Sequence, residues 1–403
     1  MSRLPHVLFA WEMGDNFGHV SKIAEVARHL AGKAELTIAV RNPIALRQIA
    51  PDLPCRLLAA PVAPPIGPLP SDQIGKSYPE VLRPGGWSRV ADLSPLTEAW
   101  RSLIALVRPD VLAVQGSPTC LLAARGNRIP TLVFGSGFDL PPRAHPMPRF
   151  MFWDKPDSSS REEEVRAIAN KVLEANNQPE LERFCDLLHT DAFMLATFPE
   201  IDHYGPRTQF EKDHPPYLGQ LFTTDTGKEM QWRTGARTRV LAYLRPGQHG
   251  FEPGVKALAR LDRKTDVILA APGATKSLAQ SLANTAIRLV NGPVRLDGLL
   301  PDCDLGVSHA SNGMASAFAL AGVPQVGLPM HSEQVMVART IALNRLGLGV
   351  IGQFGPDQAY EAITKTLQGQ HLKDATVAVA KRVNAAYPDG PAPAIAARIL
   401  EMA

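Results

Sequence analysis

The sequence predicts an α/β protein of two domains, each built around a parallel sheet. Three observations carry this expectation. At 403 residues the chain exceeds what one ordinary hydrophobic core organises. Short apolar runs alternate with helical patterns over most of its length. A polar, Pro-containing segment from Phe198 to Arg237 separates two such series.

The first series opens with a strand at His6–Trp11. A helix follows over Val20–Leu30, where Val20, Ile23, Ala24, Ala27 and Leu30 recur near helical spacing. A second strand is expected at Leu36–Val40, then Val111–Val114, a helix near Cys120–Arg125, and Thr131–Phe134. These strands read as buried apolar runs, the grammar of parallel βαβ units. Two Pro- and Gly-dense stretches interrupt the series, Pro61–Gly86 and Asp139–Ser160, and long irregular insertions of this kind are commonly functional loops. A helix with an acidic first turn begins near Ser160, and a strand is expected at Phe193–Thr197. The second series runs through strands at Arg239–Leu244, Val267–Ala271, Arg288–Val290, Leu305–Ser308 and Gln325–Leu328. It ends with helices at Ser332–Leu346 and Pro391–Met402. No fixed-period repeat is present.

With 45% hydrophobic and 20% charged residues, the composition is that of a globular protein. The net charge of +3 is not gathered into a basic block, which argues against nucleic-acid binding. Cys55, Cys120, Cys185 and Cys303 are widely spaced, so neither a disulfide framework nor a zinc site is expected. The N-terminus lacks the apolar core of a signal peptide, and no apolar run is long enough to span a bilayer. A cytoplasmic protein is expected, with at most peripheral membrane contact.

The segment richest in chemistry is CDLGVSHASNGMASAFALAGVPQVGLPMHSEQ, from Cys303 to Gln334. The turn His309-Ala310-Ser311-Asn312-Gly313 opens a helix at the carboxyl end of a strand. Helix N-termini offer free N–H groups and a positive dipole end to phosphate. The side chains of Ser311 and Asn312 can cap the helix or bond a ligand; an ordinary capped helix would have the same sequence. Glu333 and Gln334 begin the next helix, where a carboxylate beside an amide can read sugar hydroxyls, although polar residues are common at helix starts for other reasons.

This segment resembles the GT-B glycosyltransferases of family 1 and the related macrolide- and antibiotic-type enzymes. The resemblance extends to WEMGDNFGHVSKIAEVARHL (Trp11–Leu30) and to RPDVLAVQGSPTCLLAARGNRIPTLVFGSGF (Arg108–Phe138). It implies two facing Rossmann-like domains with a cleft between them. Residues 1–222 would bind the acceptor, residues 236–385 the nucleotide sugar, and 386–403 would form a helix crossing back to the first domain. The donor diphosphate is expected on His309, Ser311, Asn312 and Gly313, with Arg245 adding charge, the donor sugar on Glu333 and Gln334, and the nucleoside at Leu296. His19 falls on the general base, since an imidazole titrating near neutrality can take a proton from a hydroxyl, with Asp15 a second candidate. The carboxylate that usually orients this His is replaced by Gln115, and Asp139 is one possible substitute. Ala310-Ser311 stands where the family has two glycines.

The implied reaction is an inverting, metal-independent transfer from a UDP- or dTDP-sugar to a small-molecule, lipid or glycan hydroxyl, with no cofactor beyond the nucleotide-sugar co-substrate. Asp302-Cys303-Asp304 spells a metal-binding DxD, but it leads directly into a strand and is read as a turn. The loop Arg143–Lys155 mixes basic and aromatic residues; acceptor lining, plain packing and membrane contact are its three readings. A nucleotide-sugar hydrolase and a non-catalytic helper of the same fold are the alternatives for the chain as a whole.

Overall fold

The computed structural model describes residues 3–14, 17–64, 75–154, 161–222 and 225–403. Asp15, Lys155, and parts of the Pro61–Gly86 and Asp139–Ser160 stretches lie outside the described residues. The chain folds into two compact units. One comprises the chain up to Thr197 together with Pro206–Phe222 and Asp389–Ala403; the other comprises Phe198–Gly205 and Thr223–Pro388.

Along the first unit run β1 (His6–Trp11), α1 (Phe17–Leu30), β2 (Glu35–Val40), α2 (Pro43–Ile49), β3 (Arg56–Ala59), α3 (Tyr78–Val81), α4 (Val90–Val107), β4 (Val111–Val114), α5 (Pro118–Ala124), β5 (Thr131–Gly135), α6 (Glu162–Glu174) and β6 (Ala192–Leu195). The strands pair in parallel in the order β3-β2-β1-β4-β5-β6. All of β1 is buried, because helices cover both faces of the sheet. Alternation along the strand divides its side chains between them. Leu8 and Ala10 pack with Trp100 and Ile104 of α4. Val7, Phe9 and Trp11 pack with Val20, Ile23 and Ala27 of α1.

The second unit holds β7 (Thr238–Tyr243), α7 (Phe251–Leu258), β8 (Thr265–Ala270), α8 (Lys276–Ser281), β9 (Ile287–Val290), β10 (Leu305–Ser308), α9 (Asn312–Leu320), β11 (Gln325–Gly327), α10 (Ser332–Leu343), β12 (Gly347–Gly349), α11 (Pro356–Gln368) and α12 (Gln370–Ala386). Its parallel order is β12-β11-β10-β7-β8-β9, the same winding as the first sheet. Each sheet therefore reverses its strand order once, between β1 and β4 and between β7 and β10. Ligands of doubly wound sheets bind beyond the carboxyl ends of the strands at that reversal.

The last helix, α13 (Ala392–Met402), belongs to the first unit. Its Ile395, Ala396 and Ile399 share the apolar cluster of α1 and β1. Two expectations are corrected. Phe198–Gly205 falls in the second unit, not the first, because Phe198 and Ile201 are buried among Ala310, Ala315, Val337 and Ile341. The helix expected through Leu346 stops at Leu343, and the chain returns as β12. Among the described residues no helix is long and apolar enough to cross a membrane, and the four cysteines are unpaired.

Candidate active site

At the reversal of the first sheet, β1 and β4 deliver their C-terminal loops side by side. His19 is the third residue of α1, its ring stacked on Trp11 with centroids 5.4 Å apart. Its Nδ1 lies 2.9 Å from Oε1 of Gln115, the residue following β4, and 3.6 Å from Oδ1 of Asp139. An amide oxygen and a carboxylate both favour a proton on Nδ1. That tautomer leaves Nε2 as the ring's basic atom.

Asp139 is buried and fixed from several sides. Lys22 Nζ lies 2.6 Å from Oδ2, and the same oxygen accepts bonds from the Ser136 N–H and hydroxyl, each 2.8 Å. Burial alone would raise its carboxyl, but Lys22, His19 and the Ser136 N–H together hold it well below the usual carboxylate range. Lys22 sits one turn beyond His19 on the same face of α1, so one helix supplies both the imidazole and the cation. Gly14 completes the site. At φ +79° it occupies the left-handed region, and a Cβ there would stand 2.5 Å from His19 Nε2. Any side chain at this position would crowd the imidazole.

At the reversal of the second sheet, the turn after β10 meets the turn after β7. His309 is buried there with both ring nitrogens engaged. Nε2 accepts the Arg245 N–H at 2.9 Å, and Nδ1 donates to the Leu328 carbonyl at 3.0 Å. Burial pushes its pKa down from 6.5 to about 4. In this arrangement the ring braces the loops after β7 and β11. The side chain of Arg245 is exposed.

Helix α9 begins beside it. Its N-cap Ser311 makes no side-chain capping bond, so the first-turn N–H groups are not satisfied by the residue expected to cap them. A Cβ on Gly313 would meet nothing within 4 Å, so the helix end is sterically open. The Asn312 amide N–H lies 3.5 Å from the Ile201 carbonyl. Ala310 adopts φ +58°, the conformation that explains why glycine is usual here.

On α10, the Gln334 carbonyl accepts the Met330 N–H at 3.0 Å, which leaves its amide N–H groups as what it can offer a ligand. Glu333 Oε1 lies 3.2 Å from Nε2 of His203, a residue the sequence reading passed over, since it lies in a polar segment assigned to the first domain. Leu296 is buried, and its carbonyl is used by the Leu299 and Leu300 N–H groups.

The two carboxylates of the DxD sequence are both directed at Arg239: Asp304 accepts its N–H at 2.9 Å and Asp302 pairs with its guanidinium at 3.2 Å. They clamp the start of β10 to β7. In the aromatic loop, Arg143 is committed to Glu211 at 2.8 Å and lies over Phe193. Phe152 packs edge-on against Phe210, with centroids 5.0 Å apart.

No protein-family model matches the chain, and no curated protein matches it. Solved structures do. The glycotransferase of kitacinnamycin superposes with a TM-score of 0.71 at 15% identity, covering 100% of both chains. VinC, a glycosyltransferase in complex with dTDP, gives 0.67 at 17% identity over 99% of this chain and 100% of its own. The spinosyn rhamnosyltransferase SpnG, complexed with thymidine diphosphate, gives 0.66 at 16% identity with the same coverage. The fold is that of the GT-B glycosyltransferases, from end to end.

Proposed function

We propose that this chain is a glycosyltransferase that moves a sugar from a dTDP- or UDP-sugar to an acceptor hydroxyl, with inversion and without a metal ion. The observation that carries the reading is the His19–Gln115–Asp139 arrangement at the sheet reversal. It sets a basic Nε2 beside the open position at Gly14. The solved structures of the same fold support it, since two are complexes with thymidine diphosphate, and SpnG has also been captured with its spinosyn aglycone.

In this reading the acceptor O–H gives its proton to His19 Nε2 as its oxygen attacks the anomeric carbon. Gln115 holds the ring, and Asp139 offsets the charge of the imidazolium. The bond from the anomeric carbon to the diphosphate oxygen breaks, and the departing charge is met by the N-terminal end of α9. The open first turn at Gly313 fits that role. The acidic pair before β10 is already matched to Arg239, so the donor is held by the helix dipole and Arg245 and not by a carboxylate-bound cation. One displacement with a general base inverts the configuration.

The test is turnover of dTDP- and UDP-sugars with a panel of polyketide, anthraquinone and flavonoid acceptors, followed by mass and by the anomeric NMR coupling. Transfer with inverted configuration is expected, and His19→Ala should lower kcat by about 100- to 10,000-fold while nucleotide affinity is kept. Sugar release to water with no transfer to any acceptor would replace the reading with a hydrolase.

A further inference from the structure

A carboxylate that discriminates sugar hydroxyls must be held in one orientation, yet Glu333 is carried on two methylenes and its side chain is 21% exposed. The atom that restrains it comes from far away in sequence. His203 Nε2 lies 3.2 Å from Glu333 Oε1. A carboxylate has no proton to give, so the imidazole N–H is the donor. The His203 side chain is wholly buried. Glu333 Oε2 lies toward His331, 3.8 Å from its Nδ1, and that side chain is more than half exposed.

The turn that delivers His203 is fastened to three helices of the second unit. Asn312 of α9 bonds the Ile201 carbonyl. Asn344, at the end of α10, donates to the Glu200 carbonyl at 3.1 Å. Arg382 of α12 pairs with the Glu200 carboxylate. Phe198 and Ile201 are buried against the same helices. Water could satisfy a partly exposed carboxylate, so Glu333 does not need His203 for its own solvation. What His203 adds is direction.

Resting on the transferase reading, we propose that His203 is a positioning residue for the donor sugar: its N–H fixes Glu333 Oε1, so that the remaining lone pairs of the carboxylate point at the sugar hydroxyls. His203 touches neither the nucleotide nor the reacting atoms. Its loss should weaken the sugar's contribution to binding and leave the nucleotide's contribution unchanged.

The experiment is calorimetric titration of dTDP, UDP and their glucose, galactose and rhamnose conjugates into wild type, His203→Leu, His203→Gln and Glu333→Gln, with the melting temperature of each variant recorded. The sugar nucleotide that wild type binds tightest serves as probe. His203→Leu should bind the parent nucleotide within twofold of wild type and the sugar nucleotide about tenfold more weakly, as should Glu333→Gln. Combining the two substitutions should add nothing further. His203→Gln, whose amide can donate from a similar place, should restore binding. Sugar-nucleotide affinity unchanged in His203→Leu, or lost equally for the parent nucleotide in both His203 variants, overturns the proposal. So does unchanged affinity in Glu333→Gln, and in each of these cases the transferase reading stands because the nucleotide still binds wild type. Failure of wild type to bind any nucleotide overturns both.

Discussion

The first partner of the His19 imidazole is a neutral amide: Gln115 Oε1 stands 2.9 Å from Nδ1, and the carboxylate of Asp139 stands behind it at 3.6 Å. In the proposed mechanism, orientation falls to Gln115 and charge compensation to Asp139. They should therefore separate on mutation. Gln115→Leu removes the acceptor that selects the tautomer, and kcat should fall about 10- to 100-fold with little loss of stability. Asp139→Asn removes charge compensation and also strands Lys22, whose side chain is only 11% exposed. It should lower kcat and destabilise the fold by about 3 kcal/mol. Steady-state kinetics beside denaturant unfolding of both variants checks the division; equal destabilisation would contradict it.

Gly14→Ala places a methyl group where the acceptor oxygen is proposed to sit, 2.5 Å from Nε2. Turnover should fall at least 100-fold while dTDP or UDP affinity stays within twofold, because the nucleotide is proposed to bind the other unit. The left-handed backbone at this position adds a stability cost of about 1–2 kcal/mol. Near-normal kcat in a folded Gly14→Ala variant would exclude His19 Nε2 as the base.

His309 links stability to pH. Its pKa is about 4 in the folded chain against 6.5 for a free histidine, so the unfolded state takes up a proton first as pH falls. The stability that the neutral ring contributes is present above pH 6.5 and is lost progressively down to about pH 4, up to about 3 kcal/mol. Urea unfolding from pH 8 to pH 4 should show this loss in wild type. It should be much smaller in His309→Gln, which is less stable at pH 8 because the brace between Arg245 and Leu328 is weakened. Parallel curves for the two proteins would contradict the assignment.

Ala310 is buried at φ +58°. Replacing a buried alanine by glycine normally costs about 1 kcal/mol, as Ala315→Gly in α9 should. At position 310 the relief of backbone strain opposes that cost, and Ala310→Gly should be neutral or stabilising by up to about 1 kcal/mol. Thermal melts of the two variants give the comparison directly.

The strands that are buried runs were legible in sequence: His6–Trp11, Val111–Val114 and Leu305–Ser308 begin and end where expected. What escaped has physical reasons. β3 has no fully buried residue and so no apolar run to announce it. α4 carries Pro95 inside the helix, where a proline removes a backbone hydrogen bond and obscures the helical pattern. β12 is three residues long and is defined by its neighbour, not by its own pattern. Within the site, His19, Gln115 and Asp139 were each identifiable by type, but only the fold brings Asp139 within reach of His19. Lys22 looked like one more helical lysine until the carboxylate opposite it was visible. His203 gave no signal at all, because its meaning depends on a turn that packs with the unit following it in sequence. For His309 the sequence suggested a ligand contact, and only the fold shows the two backbone groups that its ring nitrogens engage.

The measurement that reaches the central claim most directly is calorimetric binding of dTDP and UDP to wild type and to Ser311→Asp, in buffer containing EDTA. Ser311 is the N-cap of α9, and aspartate there keeps the helix capped while setting a negative charge where the diphosphate is proposed to sit. Micromolar binding to wild type, lost in a folded Ser311→Asp variant, is the expected result. No binding of either nucleotide, with or without added Mg²⁺, would contradict the donor site and leave a non-catalytic protein of the same fold in its place.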